Sequence, residues 1–219
     1  MSDIYNEILS GLTTTSYPLN DILLKLKVLA HKLKNKELAT FVNSELNGYK
    51  NEVPAYRIYK GSLMGTIENM KCRRANVTLA TLHLKKHGLE KLTYCAFPEK
   101  ISELIELAKQ EEIYKTIPPE LYQILSEPIV NGYVVTNAYV PIGKSFIVGV
   151  LSTIRSKLLD LMFEMEDKFN SAELENLFKN PTKEQQDTIN PVINKFIQNN
   201  FNSYDGSTQN TRIELETDK

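Results

Sequence analysis

One long helical segment, from about Ser145 to Lys168, constrains the fold of this chain more than any other feature. Its apolar residues recur at spacings of four and three, which places them along one side of a helix. The stripe consists of Ile147, Leu151, Ile154, Leu158, Leu161 and Met165. A stripe of this kind faces a core, so the segment predicts a core helix near the C-terminal end of a domain.

The N-terminal part of the chain predicts a helical hairpin. Apolar residues follow the helical rhythm from Pro18 to Lys34 and again from Lys36 to Asn47, with Asn35 as the interruption. A connection this short joins two neighbouring helices as a hairpin or corner. A shorter predicted helix, from Asp3 to Leu12, precedes them.

The middle of the chain predicts a small β-sheet. Gly132–Val140 is the strongest candidate strand, because it is rich in valine and also contains tyrosine and threonine. Shorter candidate strands are Arg57–Lys60, Ser62–Ile67 and Leu92–Phe97, and short helices are predicted over Pro98–Gln110 and Pro118–Ser126. We therefore expect an α+β fold that is mainly helical, with an N-terminal helical hairpin, a small β-sheet and a long C-terminal core helix.

The helical periodicity weakens after Asn170, and Asn180-Pro181 marks a boundary. We therefore assign residues 1–170 to one domain. Residues 171–219 are predicted to form a C-terminal appendage that is helical or polar and partly disordered.

Composition and charge favour a soluble cytoplasmic protein. The 219 residues include 26 Lys and Arg against 27 Asp and Glu, and this balance argues against a broad nucleic-acid surface. The polar N-terminus does not resemble a secretory leader, and no apolar run approaches the ~18 residues of a membrane span. Cys72 and Cys95 show no disulfide framework, as expected in a reducing compartment. We expect neither a membrane partner nor a nucleic-acid partner.

The segment Ala138–Ser145, with the sequence AYVPIGKS, satisfies a relaxed phosphate-loop pattern between a predicted strand and a predicted helix. Such a loop needs small residues whose backbone N–H groups surround the phosphates. Here the intervening residues are bulky, and Pro141 removes one donor. We prefer a glycine turn with Ser145 as the helix N-cap. An enzyme, either a nuclease or a nucleotide hydrolase that uses the Gly143–Lys144–Ser145 turn or a basic surface, is the alternative function.

The other chemical candidates are weaker. Cys72, His83, His87 and Cys95 lie within one stretch of sequence, but the close cysteine pairs typical of zinc sites are missing. No nucleophile or acid–base constellation stands out. We therefore expect no metal, no cofactor and no catalytic residue.

The segment Glu45–Arg57, with the sequence ELNGYKNEVPAYR, places several aromatic and charged residues around one glycine and one proline, which is unusual for a loop. Gly48 occupies the position of a helix C-cap glycine in the left-handed conformation. Pro54 then favours an extended approach to Tyr56 and Arg57. The segment therefore predicts the end of a helix and the start of a strand.

These residues resemble the opening signature of the AbiTii domain, which is found in bacterial phage abortive-infection proteins. In Leu23–Arg57 an apolar helix precedes a second helix that ends in E-L-N-G-Y, and P-x-Y-R follows. Val150–Glu166 is similar to the closing helix of that family, with its Arg and its Leu-Leu pair. The resemblance covers about Asp3 to Asn170, although Phe41 stands where we expect a family tryptophan and the chain contains no Trp. The resemblance implies antiviral defence, and it supplies no reaction.

The segment Glu45–Arg57 has two interpretations. Glu45 lies on the apolar side of its helix and requires a positive partner, for which Arg57 and Arg155 are the candidates. In the structural interpretation, which we prefer, an ion pair holds the hairpin, the first strand and the long helix together. In the ligand interpretation, a binding site is formed by Glu45, Asn47, Tyr49, Tyr56, Arg57 and Arg155.

Two helices carry apolar residues outside their main stripes. Leu24 and Val28 do so in the second helix, and Leu159 and Phe163 in the long helix. A helix that is apolar on two sides is either central in its domain or shared with a neighbour. We expect these faces to mediate self-association or docking of a partner defence protein, with a phage component as trigger. The expected function is antiphage defence through binding or assembly.

Overall fold

The computed structural model describes residues 4–14 and 18–201. The fold is α+β and mainly helical, as predicted. It divides into two compact units. The helical unit contains the described parts of Met1–Arg57, Phe97–Ala108 and Ile147–Asn210, and the sheet unit contains Ile58–Ala96 and Lys109–Phe146.

Eight α-helices occur in the described part of the chain. They are α1 (Ile4–Thr13), α2 (Leu19–Leu33), α3 (Lys36–Asn47), α4 (Ile101–Leu107), α5 (Tyr122–Ser126), α6 (Lys144–Glu166), α7 (Ser171–Lys179) and α8 (Lys183–Asn200). The predicted hairpin of α2 and α3 is present. It turns at Lys34, which has φ 52°, and at Asn35, whose side chain accepts a hydrogen bond of 2.8 Å from the Leu38 N–H.

The long helix α6 buries most of its predicted stripe. Ile147, Ile154, Leu158, Leu161 and Met165 are buried, and Val150 and Met162 join them. Leu151 is half-buried instead. A helix repeats every 3.6 residues, so residues beside the ideal stripe also reach the core.

Gly48 ends α3 as predicted, but its conformation differs from the expected left-handed one. Its φ is 84° and its ψ is 160°, a region that is essentially restricted to glycine. A Cβ atom here would lie 2.9 Å from the Pro98 carbonyl oxygen. That oxygen also accepts a hydrogen bond of 2.8 Å from the Tyr49 N–H, so the glycine allows two backbone segments to meet.

The sheet unit contains six short strands. They are β1 (Ile58–Lys60), β2 (Met64–Glu68), β3 (Arg73–Thr78), β4 (Tyr94–Ala96), β5 (Tyr114–Thr116) and β6 (Val134–Pro141). One antiparallel sheet has the order β3-β2-β6-β5, and β1 pairs with β4 in a second, two-stranded sheet. Met64 pairs with Thr78 on one side and with Tyr139 on the other. Two strands, β3 and β5, were not predicted, because β3 is almost wholly exposed and β5 is very short.

The chain after Asn170 is more regular than its sequence periodicity indicated. Capping boxes start both helices there, between Asn170 and Glu173 in α7 and between Thr182 and Gln185 in α8. Contacts join α7 to α1 and α2, and α8 to α3. The domain boundary at residue 170 stays a prediction. The predicted polar end of the chain, beyond residue 201, lies outside the described residues.

A helix that crosses a bilayer needs about 20 predominantly apolar residues. Within residues 4–14 and 18–201, no helix is both long and apolar enough to do so.

We expect Gly48→Ala to lower the free energy of unfolding by about 2–4 kcal/mol, because it combines a disfavoured backbone conformation with a clash against a backbone oxygen. Gly88→Ala is the matched control. Gly88 also has a positive φ, 68°, but no atom lies within 4 Å of its would-be Cβ, so we expect a loss of only about 1 kcal/mol. Equal losses in urea unfolding would contradict the close approach at Gly48.

Candidate functional site

A buried ion pair joins the end of α3 to the segment that follows it. The Glu45 side chain points from the last turn of α3, and Arg57 ends the short 3-10 turn Ala55–Arg57. Arg57 Nη2 donates to Glu45 Oε2, and both side chains are 0% exposed. An ion pair that is fully removed from water requires further hydrogen bonds to offset its desolvation.

The guanidinium of Arg57 obtains those bonds from backbone carbonyls. Its Nη1 donates to the carbonyl oxygens of Phe97, at 3.0 Å, and Glu99, at 2.7 Å. Its Cζ also lies 5.0 Å from the centre of the Tyr49 ring, within the range of a cation–π contact. Arg57 therefore binds the segment before α4 as well as α3.

The other oxygen of Glu45 is held by two tyrosines. Oε1 accepts hydrogen bonds from the hydroxyls of Tyr49, at 2.6 Å, and Tyr56, at 2.5 Å. The two hydroxyl oxygens lie 3.1 Å apart. We call the four side chains Glu45, Tyr49, Tyr56 and Arg57 the Glu45 network.

Burial and charge shift the protonation equilibria of this network. Burial, and then the adjacent Glu45 carboxylate, raise the pKa of Tyr49 and of Tyr56 well above the ordinary tyrosine value. For Arg57 burial lowers the pKa, but the Glu45 charge and hydrogen bond oppose it, and the pKa ends above its ordinary value. The tyrosines are therefore kept protonated as donors and the arginine is kept charged.

An aromatic cluster borders the network on one side. Phe201 stacks on Phe41, with ring centres 4.1 Å apart, and packs edge-on against Tyr56 at 5.8 Å. Lys157 Nζ lies 5.7 Å from the Tyr56 ring centre and 5.3 Å from that of Phe201, and it donates to the Asn200 carbonyl. Burial lowers the pKa of Lys157. Sequence reasoning missed Lys157 and Phe201, because their partners are far away in the chain.

Two polar atoms near the network have no hydrogen-bond partner among the described residues. They are Arg57 Nε and Glu99 Oε2, and both are buried. Burial raises the pKa of Glu99, although the charge of Arg57 opposes this shift. Both oxygens of the Glu45 carboxylate are therefore hydrogen-bonded, whereas Arg57 Nε and the nearby Glu99 Oε2 have no partner among the described residues.

A comparison with known protein families assigns the chain to one of them. The sequence model of the AbiTii family matches residues 3–190. The chain belongs to the AbiTii family. No curated protein and no solved structure shows a significant match to it. AbiTii membership points to abortive-infection antiphage defence and assigns no reaction. The residues on which the resemblance rested, E-L-N-G-Y and P-x-Y-R, supply the whole Glu45 network.

Two of the six predicted site residues of this AbiTii protein make their hydrogen bonds outside the Glu45 network. The exposed Asn47 side chain donates to the Asn43 carbonyl at 2.9 Å. Arg155 Nη1 donates to backbone carbonyls at the end of α1, those of Gly11 at 2.6 Å and Thr14 at 3.1 Å. Of the two candidate partners, Arg57 is therefore the one that binds the Glu45 carboxylate. Arg155 holds α6 to the C-terminal end of α1, where unpaired carbonyls attract a cation.

A polar groove runs beside the network along α3. It is lined by residues that include Thr40, Asn43, Asn47, Tyr49, Asn51 and Glu52. Tyr49 belongs to both the groove and the network, so the ligand interpretation keeps a place for a small polar molecule. The ion pair that the structural interpretation requires is present, and both Glu45 oxygens are already engaged. Which interpretation describes the role of these residues stays a prediction.

The Gly143–Lys144–Ser145 turn has the predicted neighbours but not the sheet of a phosphate loop. Gly143 lies between β6 and α6, and Lys144 and Ser145 begin α6. Strand β6 is antiparallel to both β2 and β5. Phosphate loops of nucleotide-binding folds follow strands of parallel sheets. The helix begins at Lys144, so Ser145 lies inside its first turn and the N-cap prediction was wrong.

The cysteine and histidine candidates have separate surroundings. His83 Nε2 lies 3.0 Å from the Ile124 carbonyl and His87 Nε2 lies 3.0 Å from Glu127 Oε2. Cys72 is exposed, whereas burial raises the pKa of the Cys95 thiol to about 11. In the part of the chain that the structure describes, no three His, Cys, Asp or Glu side chains cluster as metal ligands would. That the chain binds no metal stays a prediction.

We expect Glu45→Gln and Arg57→Met each to lower the free energy of unfolding by about 3 kcal/mol, because each leaves a buried charge without its partner. The double variant should lose clearly less than the sum, since neither charge is then left alone. Urea unfolding of the four proteins measures this coupling.

The matched control is the exposed pair of Arg73 and Glu68, whose side chains are 71% and 38% exposed. Its double-mutant cycle should give a coupling close to zero, because water screens the pair. Additive effects at Glu45 and Arg57 would show that the buried pair contributes no coupling.

The tyrosine shifts predict a loss of stability at high pH. A group whose pKa is raised on folding contributes stability that is complete below its unfolded pKa, here 10.0, and that decreases as the pH rises above it. Tyr56→Phe should cost about 1–3 kcal/mol at pH 7 and make the decrease above pH 10 shallower. Tyr114→Phe, on an exposed residue of the sheet unit, serves as the control. If the free energy of unfolding of Tyr56→Phe has the same pH dependence as that of the wild type, the raised pKa of Tyr56 is refuted.

Proposed function

We propose that this AbiTii protein contributes to antiphage abortive infection in bacteria by self-association rather than by a reaction of its own. Family membership supports the defence role. The observation that carries the assembly step is the exposure of large apolar side chains on two helices of the helical unit. We further propose that the protein acts in the cytoplasm, which the free thiols of Cys72 and Cys95 support.

The first exposed face lies on α6 and consists of Val148, Leu159 and Phe163, which we call the α6 face. Val148 is 48% exposed and Phe163 is 46% exposed, whereas Leu159 is half-buried. The serines Ser152 and Ser156 lie between them at helical spacing and are exposed. The core therefore does not use this side of α6. Val148 extends the predicted face of Leu159 and Phe163 towards the N-terminus of the helix by about three turns.

The second exposed face lies on α2. Leu24 is 47% exposed and Val28 is 50% exposed, and their spacing of four places them together on one side of the helix. The opposite stripe of α2, which includes Leu26 and Leu29, is buried. Apolar area that a folded unit leaves in water becomes favourable contact area when a second molecule covers it.

A second copy of the chain is the partner that we favour, because exposed helix faces with small residues between large ones can pack against each other. A different defence protein is the alternative occupant. A phage component is proposed as the trigger that changes the assembly, and the groove beside Tyr49 is one place where such a component could bind.

Light scattering at micromolar concentration tests the assembly. We expect the wild type to be larger than a monomer. Phe163→Asp should be monomeric and folded, because about half of the Phe163 side chain is already exposed to solvent. Leu82→Asp is the matched control, since Leu82 is 94% exposed in the sheet unit, and it should keep the wild-type size. A strictly monomeric wild type whose Phe163→Asp variant fails to fold would place this face in the core.

A phage plaque assay tests the function, with and without the genes encoded beside this one. Phe163→Asp should lose protection, whereas Lys144→Ala should keep it, because Lys144 is the first residue of α6 and has a structural role in our proposal. Loss of protection by a folded Lys144→Ala variant, together with ATP binding by the wild type, would favour the enzyme instead. A pulldown during infection identifies the partner in the assembly, which is either a second copy of this chain or a different defence protein.

A further inference from the structure

Two neighbouring loops form one end of the sheet unit, and we call them the two-loop tip: residues 69–72, between β2 and β3, and residues 127–133, before β6. Asn69 organises both loops. Its Oδ1 accepts from the Lys71 N–H at 2.9 Å, and its Nδ2 donates to the Asn131 carbonyl at 3.4 Å. One side chain therefore shapes the first loop and links it to the second.

The two-loop tip exposes large apolar side chains. Met70 is 105% exposed and Val130 is 71% exposed, and Val134, the first residue of β6, is 52% exposed. Single exposed apolar residues are common on soluble proteins. Met70 and Val130 lie on the two adjacent loops and Val134 begins the strand that follows. Such a concentration of exposed apolar side chains forms a patch, which is typical of an interaction site.

Positive charge lies beside these apolar side chains, on the first loop. Lys71, Arg73 and Arg74 belong to the first loop and to the start of β3, and the sequence from Asn69 to Leu89 contains no Asp or Glu. Two carboxylates lie nearby: Glu68 pairs with Arg73 at 3.0 Å, so these two charges offset each other, and Glu127 lies 3.0 Å from the His87 ring. Arg74 lies 5.2 Å from the centre of the Tyr133 ring, which adds an aromatic side chain to the tip.

We propose that the two-loop tip docks on the surface of an anionic lipid bilayer. Protruding methionine and valine side chains enter the headgroup region, and lysine and arginine beside them contact anionic headgroups. A stable protein interface usually covers about 800 Å² on each partner, whereas this tip offers three exposed apolar side chains with lysine and arginine beside them. The expectation of no membrane partner rested on the absence of a spanning segment, and a surface contact needs none.

The loop conformations favour such a contact. Asn131 and Gly132 both have positive φ angles, 63° and 70°, and form a tight turn beside Val130. Because hydrogen bonds already hold both loops in shape, docking does not have to order them first.

Sedimentation with vesicles tests the charge contribution, using the full chain. One set of vesicles is phosphatidylcholine alone, and the other contains equal parts of phosphatidylcholine and phosphatidylglycerol. We expect at least tenfold stronger binding to the anionic vesicles, weakened by added salt. Lys71→Gln should weaken it roughly fivefold, whereas Lys60→Gln, at an exposed lysine on β1, should not.

A second pair of variants tests insertion of the apolar side chains. Met70→Asp should weaken vesicle binding at least fivefold, whereas Leu82→Asp, on an equally exposed residue outside the tip, should leave it unchanged. The exposed Cys72 thiol, with Cys95 buried, accepts a polarity-sensitive dye. We expect its emission to shift to the blue with anionic vesicles only.

Three outcomes would overturn the proposal. The first is equal binding to both kinds of vesicle, and the second is an equal loss in Met70→Asp and Leu82→Asp. The third is binding to polyglutamate without binding to vesicles, which would indicate an acidic protein partner instead. None of these outcomes bears on self-association through the α6 face, so the two proposals fail independently.

Discussion

The interaction on which the helical unit depends is a buried charge pair, Glu45 with Arg57. Neither side chain reaches water, so each charge is tolerable only because the other is present. The pair also fixes backbone, since Arg57 binds carbonyls of the segment before α4. Residues 57 and 97 are the points at which the chain leaves this unit and returns to it. The pair therefore joins the segment that leaves the helical unit at residue 57 to the segment that returns to it at residue 97.

The sequence predicted those parts of the structure that depend on nearby residues. The rhythm of α2, α3 and α6 and the residues of the Glu45 network all follow from local spacing or from a contiguous motif. Which arginine meets Glu45 could not be decided that way, because Arg57 and Arg155 satisfy the same charge requirement and only the folded backbone separates them. Phe201 and Lys157 were missed because their contacts join distant segments.

The helical part of the segment after residue 170 was predicted without bounds, although the sequence carried a signal for where its helices begin. Asn170 is followed at the third position by Glu173, and Thr182 by Gln185, which is the pattern of a capping box. The helices α7 and α8 could have been located from these pairs, despite their weak apolar rhythm. The strand β3 carried no such signal, since an exposed edge strand needs little alternation between apolar and polar residues.

The position of Phe201 has a consequence for where this unit can be shortened. The family match ends at residue 190, inside α8, yet Ile193, Phe196, Ile197 and Phe201 beyond it are all buried. A polypeptide cut at the end of the match would lose the ring that stacks on Phe41 and would leave Tyr56 with one face uncovered. The smallest stable fragment of the helical unit is thus set by aromatic packing, ten or so residues further along the chain than sequence similarity alone would place it.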